Sequence, residues 1–191
     1  MDKQGHKIGL LGGSFNPAHQ GHLEISLTAL ERLGLDYVWW LVSPGNPLKS
    51  DNDMATFEAR SKSAEKIIND PRIIVSDIEN KLNTRYTVDT LIKLKEIHPE
   101  HHFIWLMGAD NLAQFDQWKD WQIIANTVPF AIFNRPRYCK SSLNSIAAQH
   151  LENYRIDEKD ADRLYNIKPP AWVYCFDNKN PLSSTEIRNK N

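Results

Sequence analysis

Six short apolar runs, separated by amphipathic stretches, constrain the fold of this 191-residue chain more than any other feature. The runs are 7–11, 37–43, 72–76, 102–107, 129–134 and 172–176. They are rich in Ile, Val, Trp and Phe, which suits strands buried on both faces. Helical periodicity falls between and after them, over 21–33, 56–69, 88–98, 111–115, 122–126, 143–150 and 184–189. Alternating strands and helices need crossover connections, and these produce a parallel sheet.

The expected fold class is α/β: a Rossmann-like, doubly wound, mainly parallel sheet with helices on both faces. Local signals mark several helix ends. Gly34 suits the end of the first helix. Thr56, with Glu58 two residues later, suits the start of the second. Thr87 is placed to cap a helix beginning at Val88, and Pro99 lies just beyond that helix. The polar stretch 152–170 reads as a long surface excursion or a flexible loop, not a domain linker. Length and the lack of a linker predict one domain over 1–191.

Composition narrows the function. Lys and Arg number 23 against 24 Asp and Glu, for a net charge of −1. That argues against a nucleic-acid polymer or an anionic membrane as the main partner, while a small anion needs only a local positive site. Cys139 and Cys175 are far apart and form no CxxC pattern, which argues against a zinc site or disulfide framework. No segment reaches the roughly 20 apolar residues of a membrane span, and the apolar run near the start is too short for a signal peptide. The expected compartment is the cytoplasm. The sequence leaves open a homo-oligomer.

The segment Gly12-Gly13-Ser14-Phe15-Asn16-Pro17-Ala18-His19-Gln20-Gly21-His22 joins the first apolar run to the first helical pattern. A strand, a Gly/Pro turn and a helix start suit a polyphosphate: glycines admit an anion close to the backbone, and the helix start offers free N–H groups. The motif is neither a P-loop nor GxGxxG. His19 and His22 are three apart, which also suits a metal pair, although no third ligand is evident nearby. Near the other end, Ser183-Ser184-Thr185-Glu186-Ile187-Arg188 places hydroxyls and an arginine one turn apart, which suits phosphate oxygens.

Together these two segments resemble the signature of the HxGH nucleotidyltransferases, which join a nucleotide to a phosphate acceptor and release pyrophosphate. The middle of the chain narrows the resemblance. Tyr86-Thr87-Val88-Asp89-Thr90 and Gly108-Ala109-Asp110-Asn111-Leu112, followed by Phe115 and Trp118, are similar to elements of bacterial nicotinate-nucleotide adenylyltransferases. Asn134-Arg135-Pro136 resembles that family's Arg-Pro element, and Phe57 with Arg60 a further Phe-x-x-Arg pattern. Leu48 and Arg137 depart from the family, which often has His and Gly there.

The resemblance implies transfer of the adenylyl group of ATP to nicotinate mononucleotide, giving nicotinate adenine dinucleotide and pyrophosphate. It implies His19, His22 and Arg188 as catalytic groups. ATP would contact Gly12, Gly13, Ser14, Phe15, His19, Gly21, His22, Gly108, Asp110, Ser184, Thr185 and Arg188. Nicotinate mononucleotide would contact Asn16, Lys49, Thr87, Trp118 and Arg135. Mg²⁺ would be held mainly through the ATP phosphates, with Asp110 on one of its waters, and no dedicated metal ligand is expected. The other tryptophans (Trp39, Trp40, Trp105, Trp121 and Trp172) are expected to serve packing, His101 and His102 to lie at the surface, and Arg60 to sit equally well in a surface ion pair. Competing readings are a nicotinamide-mononucleotide or pantetheine-phosphate adenylyltransferase, a cytidylyltransferase, or a non-catalytic nucleotide-binding module. The last is disfavoured because both histidines and the terminal arginine are present.

Overall fold

The structure is a computed structural model that describes residues 5–44, 54–135 and 138–176. Seven strands form one sheet in the order β3-β2-β1-β4-β5-β7-β6, and every pairing is parallel. They are β1 (Lys7–Gly13), β2 (Tyr37–Val42), β3 (Ile73–Ser76), β4 (His102–Gly108), β5 (Phe130–Phe133), β6 (Arg155–Ile156) and β7 (Trp172–Cys175). All six predicted strands are present. The two-residue β6 is too short and too polar to have announced itself in the sequence.

Alternate strand residues feed two apolar cores, one on each face of the sheet. On one side Leu11, Ile104 and Leu106 meet α1 (Gln20–Arg32) through Leu23, Ala29 and Leu30, and α2 (Phe57–Ile67) through Ala64. On the other side Ile8, Leu10, Phe103, Trp105 and Met107 meet α4 (Thr87–Ile97) and α6 (Trp121–Thr127) through Val88, Leu91, Leu94, Ile124 and Ala125. A sheet buried on both faces explains why its strands read as continuous apolar runs rather than alternating ones.

Further short helices among the described residues are α3 (Ile78–Lys81), α5 (Ala109–Leu112), α7 (Cys139–Leu143) and α8 (Ile146–His150). The single helix expected over 143–150 is thus divided in two, with Ser145 capping the second part by accepting from Ala148 N–H at 3.2 Å. The stretch 152–170, expected to be a surface excursion or a flexible loop, carries regular structure. It holds β6 and a 3₁₀ segment, Glu158–Asn166, whose Ala161 and Leu164 are buried in the first core. Its sparse apolar residues, three apart, are the signal that its polarity masked.

Gly34 adopts φ +58° just beyond α1, and Thr56 caps α2 by accepting from Ala59 N–H, both as the sequence indicates. Thr87 differs. Tyr86 is the N-cap and Thr87 the first residue of α4, so Thr87 is not a cap.

Candidate phosphate and acceptor site

The sheet reverses its order at β1: the chain moves outward through β2 and β3, then returns to add β4 on the other side. In open α/β sheets the crevice beyond the strand C-terminal ends at this point is where ligands bind. β1 delivers Gly13 and the His19–His22 turn to it, and β4 delivers Gly108 and Asp110.

His19 and His22 are locked together by the start of α1. His19 is the N-cap, its Nδ1 accepting from Gly21 N–H at 3.1 Å, while His22 Nδ1 accepts from His19 N–H at 3.2 Å. The result is a reciprocal capping box built from imidazoles instead of Ser and Glu. Their ring centroids are 3.9 Å apart. Because both Nδ1 atoms accept, each neutral ring carries its proton on Nε2. Burial, then the nearby Arg135 charge, lowers the His19 pKa to about 4. Burial, then His19 and then Arg135, holds His22 well below its ordinary value. The pair therefore presents fixed, uncharged N–H donors, and the first turn of α1 contains no acidic residue to oppose an anion.

Phe15 is a support for this pair. It takes φ +47°, and its buried ring lies 4.7 Å from the His22 ring and stacks on Trp40 at 5.0 Å. Only its backbone is left to face a ligand. Gly12 is likewise explained by packing. A Cβ there would collide with Cη2 of Trp105 and lie 2.9 Å from its Cζ2. At Gly13 a Cβ would meet only the edge of Phe15 at 3.4 Å, so internal crowding alone does not dictate glycine at that position.

Across the crevice, Arg135 Nε lies 3.1 Å from Asp110 Oδ1. The N–H is not aimed at the oxygen, so the contact is an ion pair without a hydrogen bond, and Oδ1 remains a buried acceptor without one among the described residues. Gly108 leaves room for this pair, since a Cβ there would displace Asp110 Oδ1 and lie 2.8 Å from Arg135 Nε. Arg135, expected on the acceptor side, is thus placed with Asp110, and its charge reaches both histidines.

The segments that carry Thr87 and Trp118 are joined by Lys119, a residue the sequence did not single out. Lys119 Nζ lies 3.6 Å from Asp89 Oδ2 and 4.4 Å from the centroid of Tyr86, tying the segment after the 3₁₀ turn Phe115–Gln117 to the start of α4. Tyr86 supplies no side-chain cap, leaving the first N–H groups of α4 to an outside acceptor. Trp118 is half-buried, with edge contacts to Phe115 at 5.5 Å and Trp105 at 6.3 Å. Trp105 is 2% exposed, yet its Nε1–H has no partner among the described residues.

Arg60 is not in a surface ion pair. It is buried and donates to the carbonyls of Ser14, Ser43 and Ala55. Asn16 Oδ1 accepts from Ala55 N–H at 3.3 Å. Lys49, Ser184, Thr185 and Arg188 lie outside the described residues, as does the predicted helix over 184–189.

Among the described residues one cluster has the composition of a metal site: His98, Glu100 and His101, at the opposite end of β4. His101 Nδ1 accepts from His6 N–H at 3.2 Å, which leaves the ring proton on Nε2, the atom facing Glu100 Oε1 at 3.9 Å. A ring in that state offers Glu100 a proton and has no lone pair there for a cation.

A cytidylyltransferase-like family model matches residues 10–190. Curated relatives described as probable nicotinate-nucleotide adenylyltransferases are 51% identical in Bradyrhizobium sp. strain ORS 278, covering 96% of this chain and 95% of the relative, and 48% identical in Agrobacterium fabrum, covering 95% and 97%. The chain belongs to the cytidylyltransferase-like family. Within it, the chain falls among the nicotinate-nucleotide adenylyltransferases. A solved structure of Plasmodium falciparum nicotinic acid mononucleotide adenylyltransferase complexed with NaAD superposes with a TM-score of 0.71, at 21% identity, over 96% of this chain and 83% of that one. At that identity the match supports the fold.

Proposed function

We propose that this chain transfers the adenylyl group of ATP to nicotinate mononucleotide, releasing pyrophosphate and forming nicotinate adenine dinucleotide. The observation that carries the reading is the imidazole capping box at the switch point, which consumes both Nδ1 atoms and leaves two neutral Nε2–H donors at a helix N-terminus, suited to an anion. Relatives about half identical over nearly the full chain bear the same name. The whole chain works as one nucleotidyltransferase domain in the cytoplasm. No helix of the described residues is long and apolar enough to cross a membrane.

The acceptor phosphate is already an anion, so the attack on the α-phosphorus needs positioning and charge stabilisation more than a general base. His19 and His22 donate Nε2–H to the ATP phosphates as charge shifts to the leaving pyrophosphate. Gly12, Gly13, Ser14, Gly21, Gly108 and the Phe15 backbone shape the ATP side, with Ser184, Thr185 and Arg188 closing it. Arg135 adds positive charge shared by donor and acceptor phosphates, beside Asp110. Asn16, Lys49, Thr87 and Trp118 serve the acceptor. The pyridine ring lies on Trp118, and its carboxylate meets Thr87 and the uncapped start of α4.

The buried, unbonded Oδ1 of Asp110 fits an outer-sphere contact to a divalent cation. Mg²⁺ bound with ATP would offset phosphate charge, while this chain orients the phosphates through its histidines and Arg135.

The test compares kcat/KM for nicotinate mononucleotide, nicotinamide mononucleotide and phosphopantetheine, each with Mg-ATP and pyrophosphate as the readout. Nicotinate mononucleotide is expected to be preferred. A preference for phosphopantetheine would refute the acceptor assignment.

A further inference from the structure

Arg60 has a geometry that neither family membership nor the proposed reaction explains. It projects from α2, is 2% exposed, and spends its donors on three backbone carbonyls from separate segments. Nη1 donates to Ser14 O at 2.7 Å and Ser43 O at 2.9 Å, and Nε donates to Ala55 O at 3.0 Å. Ser14 lies in the turn after β1, Ser43 at the exit of β2, and Ala55 just before the cap of α2. Ala55 is held from its other side by Asn16 Oδ1, and Ser43 N–H reaches Gly13 O at 3.0 Å. The guanidinium sits 5.7 Å from the Phe57 ring centroid.

We propose that Arg60 is a positioning residue for adenylyl transfer. By gripping Ser14 O it fixes the turn that leads from Gly13 to the His19–His22 pair, and it holds that turn against the exit of β2 and the start of α2. Only arginine suits the task. Its planar fork reaches three acceptors in fixed directions, whereas lysine has the charge but a single, compact ammonium. Loss of the fork leaves part-buried carbonyls without their donor and lets the turn relax. The proposal rests on the adenylyl-transfer reading but concerns how the donor side is held in place.

The test is Arg60→Lys in the full chain, with circular dichroism to confirm folding and rates taken well below its Tm. The expected result is a kcat reduced at least about tenfold, with the KM for ATP raised about threefold or more, because a displacement near 1 Å suffices for losses of this order. A folded Arg60→Lys protein with kcat and both KM values within about twofold of the parent overturns the proposal, whatever its Tm, since a purely structural role moves Tm and leaves turnover per folded molecule intact. Should Arg60→Lys fail to fold, Phe57→Leu decides: a smaller loss of kcat in the same direction supports the clamp, and unchanged kinetics overturn it. If the parent itself forms no dinucleotide, the adenylyl-transfer reading fails separately. The clamp is then judged by calorimetric binding of a non-hydrolysable ATP analogue, which Arg60→Lys must weaken and which, if unweakened, overturns it.

Discussion

At the scale of single residues, the role proposed for His19 and His22 rests on donor geometry. Each Nδ1 is consumed by the capping box, so Nε2–H is the group offered to a phosphate. Their lowered pKa values mean that this donor is present throughout neutral pH without protonation. The kcat/KM of the free enzyme is therefore expected to stay level from pH 7 to pH 8.5. A tenfold loss per pH unit across that range would show that an imidazolium is required. His22→Ala is expected to lower kcat about 10²–10³-fold, the usual consequence of losing one charge-stabilising donor, while leaving the acceptor KM nearly unchanged.

Sequence reasoning found these histidines because their spacing is local. It had no means of finding the Arg60 contacts with Ser14 and Ser43, whose partners are carbonyls 46 and 17 residues away. Phe15 and Gly12 also carry packing roles that their place in the motif does not reveal. Both stand in the motif, yet one supports His22 from below and the other makes room for Trp105.

At the scale of elements, the proposed acceptor side depends on how α3, α4 and the segment around Trp118 meet. Trp118→Ala is expected to raise the KM for nicotinate mononucleotide about tenfold, from the loss of an aromatic face worth about 1 kcal/mol beyond its buried area, with the ATP KM little altered. Unchanged acceptor KM would remove Trp118 from the subsite. The start of α4 is braced by a buried cluster in which Thr90 Oγ1 donates to Glu79 Oε1 at 3.1 Å, while Thr84 N–H donates to Glu79 O at 2.9 Å. Burial raises the Glu79 pKa to about 7.

Glu79 and the histidines pull stability in opposite directions. Between pH 4 and 6.5 the unfolded chain binds more protons at His19 than the folded one, so that contribution is lost as pH falls. Between pH 4.5 and 7 the folded chain binds more protons at Glu79, so that contribution is lost as pH rises. Glu79→Gln removes the second effect. Its unfolding free energy is expected to rise with pH more steeply than the parent's over pH 4.5–7. Urea titrations across that range check this, and parallel curves would contradict it.

At the scale of the whole molecule, six strands and their parallel pairing follow from alternating apolar runs and helical stretches, because crossovers force parallel pairing, whereas the strand order that reverses at β1 does not. The two cores follow from a sheet covered on both faces. What escaped was weakly periodic: β6 with two residues, α3 with four, and the 3₁₀ segment whose Ala161 and Leu164 are embedded in otherwise polar sequence. Most of the candidate site was legible as motifs. Its spatial grouping was not, and Arg135 shows why, since its nearness to Asp110 comes from the lateral pairing of β4 and β5.

The central claim is that these grouped residues move an adenylyl group onto a nicotinate nucleotide. Incubating the protein with Mg-ATP and nicotinate mononucleotide, and counting both products by chromatography, tests it most directly. Pyrophosphate and nicotinate adenine dinucleotide are expected in equal amounts. No dinucleotide, or ATP broken down without it, would contradict the account.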